Sequence, residues 1–171
     1  KNFSGDILTY SPSNGIPELI DAMVQYYKNY DIEFSKDEVL IMNGGSEALL
    51  FTLMTLLDKD DEIVVPEPFY ANYNSMFQVL EINVVPISTK IEDGFHLPSK
   101  AEIEKVITPK TKAMLISNPA NPTGVTYTKE ELDILASVAK EKDLFIISDE
   151  VYREFVYDGL EYESFASKSK E

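Results

Sequence analysis

The stretch that decides the fold runs from Ala113 to Ser148 and reads AMLISNPANPTGVTYTKEELDILASVAKEKDLFIIS. It opens with an apolar run typical of a β-strand, AMLIS, and closes with another, LFIIS. Between them, Thr128 and Glu131 have the spacing of a capping box, which predicts that a helix begins there. A strand, a helix and a second strand in this order predict a parallel β-α-β unit.

The same alternation continues towards the start of the chain. Periodicity and capping signals predict helices over residues 15–30, 46–57, 70–80 and 99–107, and strands over 62–65 and 83–87. The apolar run 38–42, which a glycine turn follows, is interpreted as a further strand. Pro86 predicts that the strand containing it lies at an edge of the sheet or ends early. The expected fold class is therefore α/β, a three-layer αβα sandwich with a mostly parallel sheet.

Composition excludes several classes of function. The 171 residues include no cysteine and one histidine, His96, so a thiol nucleophile and a thiolate or multi-histidine metal site are excluded within this chain. The net charge of −15 opposes binding to nucleic acid and to anionic membranes. No apolar run approaches the ~20 residues of a membrane span. We expect a soluble, acidic, cytoplasmic domain without a metal site.

Two of the segments that follow apolar runs suit an anionic and an aromatic ligand group. Ligands of open α/β sheets bind beyond the carboxyl ends of the strands. Gly44, Gly45 and Ser46 open a predicted helix, where unpaired amides and the helix dipole favour a phosphate. Taken alone, this segment fits a plain glycine turn in which Ser46 caps the helix better than it fits a phosphate site. Tyr70 follows a proline-rich turn and can present its ring to a ligand, or pack in the core.

Two further segments offer polar groups. The SNPANPTG loop at 117–124 is stiffened by its prolines, so that Asn121 is held as an amide donor. Asp149 ends an apolar strand, where a carboxylate is costly unless a cation meets it or it caps a helix, and Tyr152 follows three residues later. A phosphate cradle, a ring face, an amide donor, a carboxylate and a phenol together match pyridoxal phosphate.

The chain resembles the class I/II, fold type I, pyridoxal-phosphate-dependent aminotransferases, the aspartate aminotransferase family. The motifs that carry the resemblance are Asn121-Pro-Thr-Gly124 and Asp149-x-x-Tyr152, in this order, with Tyr10-x-x-x-x-Gly15 before them. The resemblance implies roles for seven residues: Gly45 and Ser46 bind the cofactor phosphate, Tyr70 stacks on the pyridine ring, Asn121 and Tyr152 donate to the phenolate oxygen, Asp149 pairs with the protonated ring nitrogen, and Tyr10 reaches the phosphate of the partner subunit. A homodimer is therefore expected.

Some parts of the family pattern have no match in this sequence. The Schiff-base lysine of the family is expected beyond Glu171, because Lys168 and Lys170 follow Asp149 too closely and are interpreted as surface residues. The only arginine, Arg153, is not expected to reach the ligand. The resemblance thus implies that residues 1–171 are part of the large cofactor-binding domain, without the lysine segment and the small C-terminal domain, and are inactive alone.

The implied activity is the transfer of an amino group between an amino acid and a 2-oxo acid. Other fold type I chemistry, by a C–S lyase or a synthase, remains an alternative, as does a cofactor-binding domain without catalysis. A third alternative is a serine hydrolase, because Gly44-x-Ser46-x-Ala48 resembles a nucleophile elbow. That enzyme would need Ser46 as its nucleophile and His96 as its base.

Overall fold

The computed structural model describes residues 10–168, which divide into two compact units, one up to Ala48 and one from Leu49. The helices are α1 (Pro17–Lys28), α2 (Gly45–Leu56), α3 (Asn72–Val79), α4 (Lys100–Val106) and α5 (Lys129–Lys142), and the strands are β1 (Glu62–Glu67), β2 (Asn83–Ser88), β3 (Thr111–Ser117) and β4 (Phe145–Asp149). Among the described residues no helix combines the length and the apolar character that crossing a bilayer requires.

The four strands form one parallel sheet in the order β2-β1-β3-β4. This confirms the predicted α/β fold and places β2 at an edge, as Pro86 indicated. The last residue of β3, Ser117, is in register with the last residue of β4, Asp149. Because parallel strands end at the same edge of the sheet, the segments after β1, β3 and β4 all leave from one side.

Both faces of the sheet are covered, since consecutive side chains of β3 enter different cores. Met114 and Ile116 pack in the core that α4 and α5 form, whereas Leu115 packs with Leu53 of α2 and Phe77 of α3. The middle of a strand that is covered on both faces is apolar at every position, which explains the continuous apolar run 113–116 in the sequence. Complete burial of each such side chain contributes about 1.5–3 kcal/mol, so the two cores dominate the stability of this unit.

The predicted capping boxes are present. The hydroxyl of Thr128 accepts the N–H of Glu131 at 3.2 Å, and the Glu131 carboxylate accepts the N–H of Thr128 at 2.7 Å. At the start of α4 the carboxylate of Glu102 accepts the N–H of Ser99 at 3.1 Å. These contacts satisfy amides that the helix itself leaves unpaired, so local sequence is enough to define where both helices begin.

The prediction of a strand over residues 38–42 is wrong. Lys36–Glu38 form a 3-10 turn, and the N–H of Ile41 donates to the carbonyl of Asn14 at 3.0 Å. An apolar run becomes a strand only where a neighbouring strand accepts its hydrogen bonds. Here the backbone partner is an irregular segment of the same unit, and Val39 is buried there without joining the sheet.

Candidate functional site

Asp149 lies at the carboxyl edge of the sheet with both carboxylate oxygens hydrogen-bonded. The hydroxyl of Tyr73 donates to Oδ2 at 2.5 Å, and the N–H of Val151 donates to Oδ1 at 3.2 Å. Both donors are neutral, and within residues 10–168 no lysine or arginine forms an ion pair with Asp149. The carboxylate is therefore oriented by its neighbours while its charge stays available to a cation.

Tyr73 is a residue of this site that sequence reasoning missed. It lies on α3, is only 2% exposed, and packs against the rings of Phe69, Tyr70 and Phe77. Burial, and then the hydrogen bond to Asp149, raise the pKa of the Tyr73 phenol far above its ordinary value near ~10. The hydroxyl thus remains a donor to the carboxylate. The available signal was a tyrosine at a core position of a helix, because a buried phenol needs a polar partner.

The loop after β3 is held in place by Asn118, which is completely buried. Its N–H donates to the carbonyl of Asp149 at 2.9 Å, its Oδ1 accepts the N–H of Tyr127 at 3.0 Å, and its Nδ2 donates to the carbonyl of Glu163 at 3.3 Å. Gly124, with φ at +74°, closes the turn. The predicted stiffness of this loop therefore comes from an asparagine side chain as well as from its prolines.

A recess opens between the ends of β1 and β3 and encloses about 240 Å³ of empty space, open solvent included. Its wall includes Pro66, Phe69 and Tyr73 on the β1 side and Ser117, Asn121 and Tyr127 on the β3 side. Asn121 thus shares the recess with the tyrosine that binds Asp149. Asn121 and Asp149, both predicted from the sequence, thus lie at the same edge of the sheet. Tyr73 lines the recess together with Asn121 and donates its hydroxyl to Asp149.

The two predicted aromatic residues differ in their surroundings. Tyr70 packs edge-on against Tyr73, with 5.5 Å between ring centroids, and is 38% exposed, so part of its ring can meet a ligand. Tyr152 is 39% exposed and packs against Phe155, with 6.1 Å between centroids. Its hydroxyl has no hydrogen-bond partner among the described residues. Tyr70 therefore packs against Tyr73, the residue that binds Asp149, whereas Tyr152 is close to Asp149 only in the sequence.

In the unit that ends at Ala48, the glycine turn opens α2. Gly44 has φ at +90° and its carbonyl accepts the N–H of Ala48 at 3.2 Å, so Gly44 occupies the capping position. The alternative in which Ser46 caps the helix is wrong, because Ser46 is the second helical residue, and it is exposed. Glu47 folds back to accept the N–H of Asn43 at 2.6 Å. The first turn of α2 is thus ordered and accessible.

Tyr10, the other residue predicted from the resemblance, is fully exposed. The predictions for Lys168 and Lys170 fall outside the described residues, since the side chain of the first and the whole of the second are not described. Within residues 10–168 no group of three or more histidine, aspartate or glutamate side chains could hold a metal ion.

His96 is not placed as a catalytic base. Its Nδ1 lies 2.9 Å from the Glu131 carboxylate, which also accepts the N–H of Leu97 at 2.6 Å. Burial alone would raise the pKa of Glu131, but hydrogen bonds from Thr128, Leu97 and His96 lower it overall. Among the described residues His96 bonds to this carboxylate and to no serine, so it ties the loop after β2 to α5.

The sequence model of the family described as aminotransferase class I and II matches residues 2–171. The chain belongs to this family. The match confirms the resemblance that the Asn-Pro-Thr-Gly and Asp-x-x-Tyr motifs indicated, and it removes the support for a serine hydrolase.

Curated relatives carry names of this type. The chain is 39% identical over 160 residues to aromatic-amino-acid aminotransferase 2 of Thermococcus litoralis, covering 92% of this chain and 41% of that protein. It is 34% identical over 161 residues to the aspartate aminotransferase of Bacillus subtilis, covering 94% and 41%. The chain therefore spans about two-fifths of the length of the curated relatives it matches.

Solved structures of aminotransferases also match this chain. The aspartate aminotransferase of Thermus thermophilus with maleate is 34% identical and matches with a TM-score of 0.86, over 92% of this chain and 41% of that one. The aromatic aminotransferase of Pyrococcus horikoshii is also 34% identical, with a TM-score of 0.88 over 93% and 43%. At this identity and similarity, the aminotransferase fold extends through nearly all of the chain.

Proposed function

We propose that the complete protein is a pyridoxal-phosphate-dependent aminotransferase, which transfers an amino group between an amino acid and a 2-oxo acid. The observation that carries this proposal is Asp149, a carboxylate that two neutral donors orient and that no described cation neutralises. A protonated pyridine nitrogen is the cation that such a carboxylate suits. The family match and the names of the relatives support the same assignment.

The residues present fit pyridoxal phosphate. Asp149 would accept from the ring nitrogen, the exposed part of the Tyr70 ring is available to a ring face, and Asn121 would offer its amide to the phenolate oxygen. Gly45 and Ser46 offer the first turn of α2 to the phosphate, and a Cβ built on Gly45 would meet no atom within 4 Å. The space beside that turn is therefore open to a ligand.

When bound, the cofactor supplies an electron sink for the charge that develops at the substrate α-carbon. Asp149 keeps the ring nitrogen protonated, because a nearby negative charge favours the charged form of the base. Tyr73 holds Asp149 in the orientation that this requires. Asn121 and Tyr152 would donate to the phenolate oxygen and so favour its deprotonated form, and Tyr70 would exclude water from one face of the ring.

We propose that this chain is part of the large cofactor-binding domain, and that the lysine carrying the proton lies in a segment beyond Glu171. The other chemistries of fold type I enzymes, lyase and synthase, use the same contacts with the cofactor. Amino transfer is favoured because the relatives are named aspartate and aromatic-amino-acid aminotransferases. Binding of the cofactor without catalysis is the remaining alternative.

A homodimer is part of the proposal. Tyr10 is fully exposed, as a residue that binds a group on a partner subunit would be. Sedimentation velocity of the complete protein at two concentrations would measure the assembly, and a monomer that binds the cofactor at full strength would contradict it. The cytoplasmic location stays a prediction from composition.

The test of the function is substitution of Asp149 in the complete protein. We expect Asp149→Ala and Asp149→Asn to lower kcat by about 100-fold or more, because an electrostatic contact to developing charge is lost. The melting temperature should change far less. Asp93→Asn, which removes an exposed carboxylate elsewhere, is the matched control. Turnover by Asp149→Asn close to that of the control would contradict the proposed role.

A further inference from the structure

The side chain of Glu150, the residue after Asp149, forms more hydrogen bonds than the side chain of Asp149 does. Its carboxylate accepts the hydroxyl of Ser148 at 2.9 Å, the hydroxyl of Ser164 at 2.8 Å and the N–H of Phe165 at 3.1 Å. One side chain therefore joins the end of β4 to a segment 14 and 15 residues further along the chain.

The charge of Glu150 is met by the only arginine of the chain. Arg153 is 8% exposed and forms an ion pair with the Glu150 carboxylate, while its guanidinium lies 5.9 Å from the centre of the Tyr162 ring. A buried pair of this kind adds little net stability over an apolar pair of similar volume, although losing one partner is costly. The pair instead limits the conformations open to the backbone at 150–153, because the planar guanidinium binds the carboxylate in few orientations.

The two neighbouring carboxylates are anchored to opposite cores. Asp149 binds Tyr73, which packs in the core with α2 and α3, and Glu150 binds the N–H of Phe165, which packs in the core with α4 and α5. Asp149 is the last residue of β4 and Glu150 follows it directly, so one short backbone segment carries both side chains. Rotation of the strand end that moved Asp149 would therefore break the contacts of Glu150.

We propose that Glu150, with Arg153 and Ser164, is a positioning residue of the site. It fixes the backbone of 149–153 from the face opposite to Tyr73, so that Asp149 keeps its orientation and Tyr152 its place three residues later. The role rests on the proposed cofactor function, since Asp149 is the group being positioned. Glu150 itself is not among the residues that line the recess.

The proposal is tested with Glu150→Gln, which keeps an acceptor oxygen and removes the charge, and with Ser164→Ala, a milder change that removes one donor. Glu131→Gln is the matched control, because Glu131 is also a half-buried glutamate that accepts a backbone N–H from a distant loop, that of Leu97. Three quantities are measured in the complete protein: the melting temperature, the affinity for pyridoxal phosphate from its visible absorbance, and the NMR resonance of the Tyr73 hydroxyl proton without cofactor.

We expect Glu150→Gln to weaken cofactor affinity by about 10- to 100-fold, as a displacement of site groups does, and Ser164→Ala to weaken it by less. Both should shift the Tyr73 hydroxyl resonance, because its acceptor moves. Arg153→Lys should recover part of the affinity that Arg153→Ala loses, since the charge is kept and the planar fork is lost. Glu131→Gln should lower the melting temperature alone.

A lower melting temperature in Glu150→Gln and Ser164→Ala, with the affinity and the Tyr73 resonance of the unsubstituted protein, would overturn the proposal and leave Glu150 as a structural tie. Failure of the unsubstituted protein to bind pyridoxal phosphate would instead contradict the proposed function. In that case the Tyr73 resonance, which needs no cofactor, still shows whether Glu150 positions Asp149.

Discussion

Two glycines in the unit that ends at Ala48 are required for different physical reasons. Gly15 has φ at +111°, and a Cβ added there would lie 2.5 Å from Cγ1 of Ile41, so any side chain would strain the backbone and collide. Gly45 has no such constraint, since it is the first residue of α2 and its surroundings are open. Gly15 is therefore needed for folding, whereas Gly45 is free for a role in binding.

This difference predicts opposite effects of alanine. Gly15→Ala should lower the free energy of unfolding by about 1–3 kcal/mol. Gly45→Ala should raise it by up to about 1 kcal/mol, because alanine is the better helix former. Chemical unfolding measures both changes.

Gly45→Ala also tests the proposed contact between Gly45 and the phosphate. In the complete protein Gly45→Ala should weaken pyridoxal phosphate binding despite its greater stability, because the added Cβ would occupy space that the proposed phosphate contact requires. An undiminished affinity would show that the phosphate does not approach Gly45.

At the scale of elements, local signals were sufficient wherever the contacts that define an element are themselves local. The capping boxes at Ser99 and Thr128 predicted where α4 and α5 begin, because the donors and acceptors lie three residues apart. The apolar runs predicted β1 and β3 because both are buried on two faces. The run at 38–42 is apolar like the runs of β1 and β3, but it has no neighbouring strand to pair with. A local sequence pattern does not show whether such a neighbour is present.

The elements also show why part of the site escaped prediction. Asn121 and Asp149 could be found because each follows an apolar run at a strand end. Tyr73, Asn118 and Glu150 act through partners 76, 45 and 15 residues away. Sequence alone does not pair positions at such separations, although a tyrosine at a core position and two carboxylates in succession indicated that partners were needed.

The stability of the whole molecule should fall at alkaline pH because three phenols are held protonated by the fold. Burial is the largest cause that raises the pKa of Tyr73, Tyr127 and Tyr162, with Asp149, Glu131 and Glu150 adding to it. A phenol whose pKa is raised on folding stabilises the folded state, and this stabilisation is fully present at pH values below the unfolded pKa of about 10. That contribution is lost as the pH rises towards the folded value, since the unfolded chain then releases the protons more readily.

We therefore expect the free energy of unfolding to fall between about pH 10 and 11, and each of Tyr73→Phe, Tyr127→Phe and Tyr162→Phe to reduce that slope by about 1 kcal/mol per pH unit, because the unfolded phenol is only partly ionised in this range. Urea unfolding at a series of pH values measures the slope. Tyr157→Phe, which alters an exposed ring, is the control and should leave the slope unchanged. Equal slopes in all four variants would show that these phenols ionise freely in the folded protein.

By itself the sequence determined the α/β class, the order of the strands and helices after residue 44, the family and the residues at the strand ends, because periodicity, capping and short motifs depend on neighbours a few positions apart. Only the tertiary structure decided which groups hold Asp149, what neutralises Glu150, and that residues 38–42 stay outside the sheet. Those outcomes depend on which distant donors and acceptors folding brings within hydrogen-bond distance. Patterns of neighbouring residues do not show these contacts, because the packing of the whole fold decides which distant groups meet.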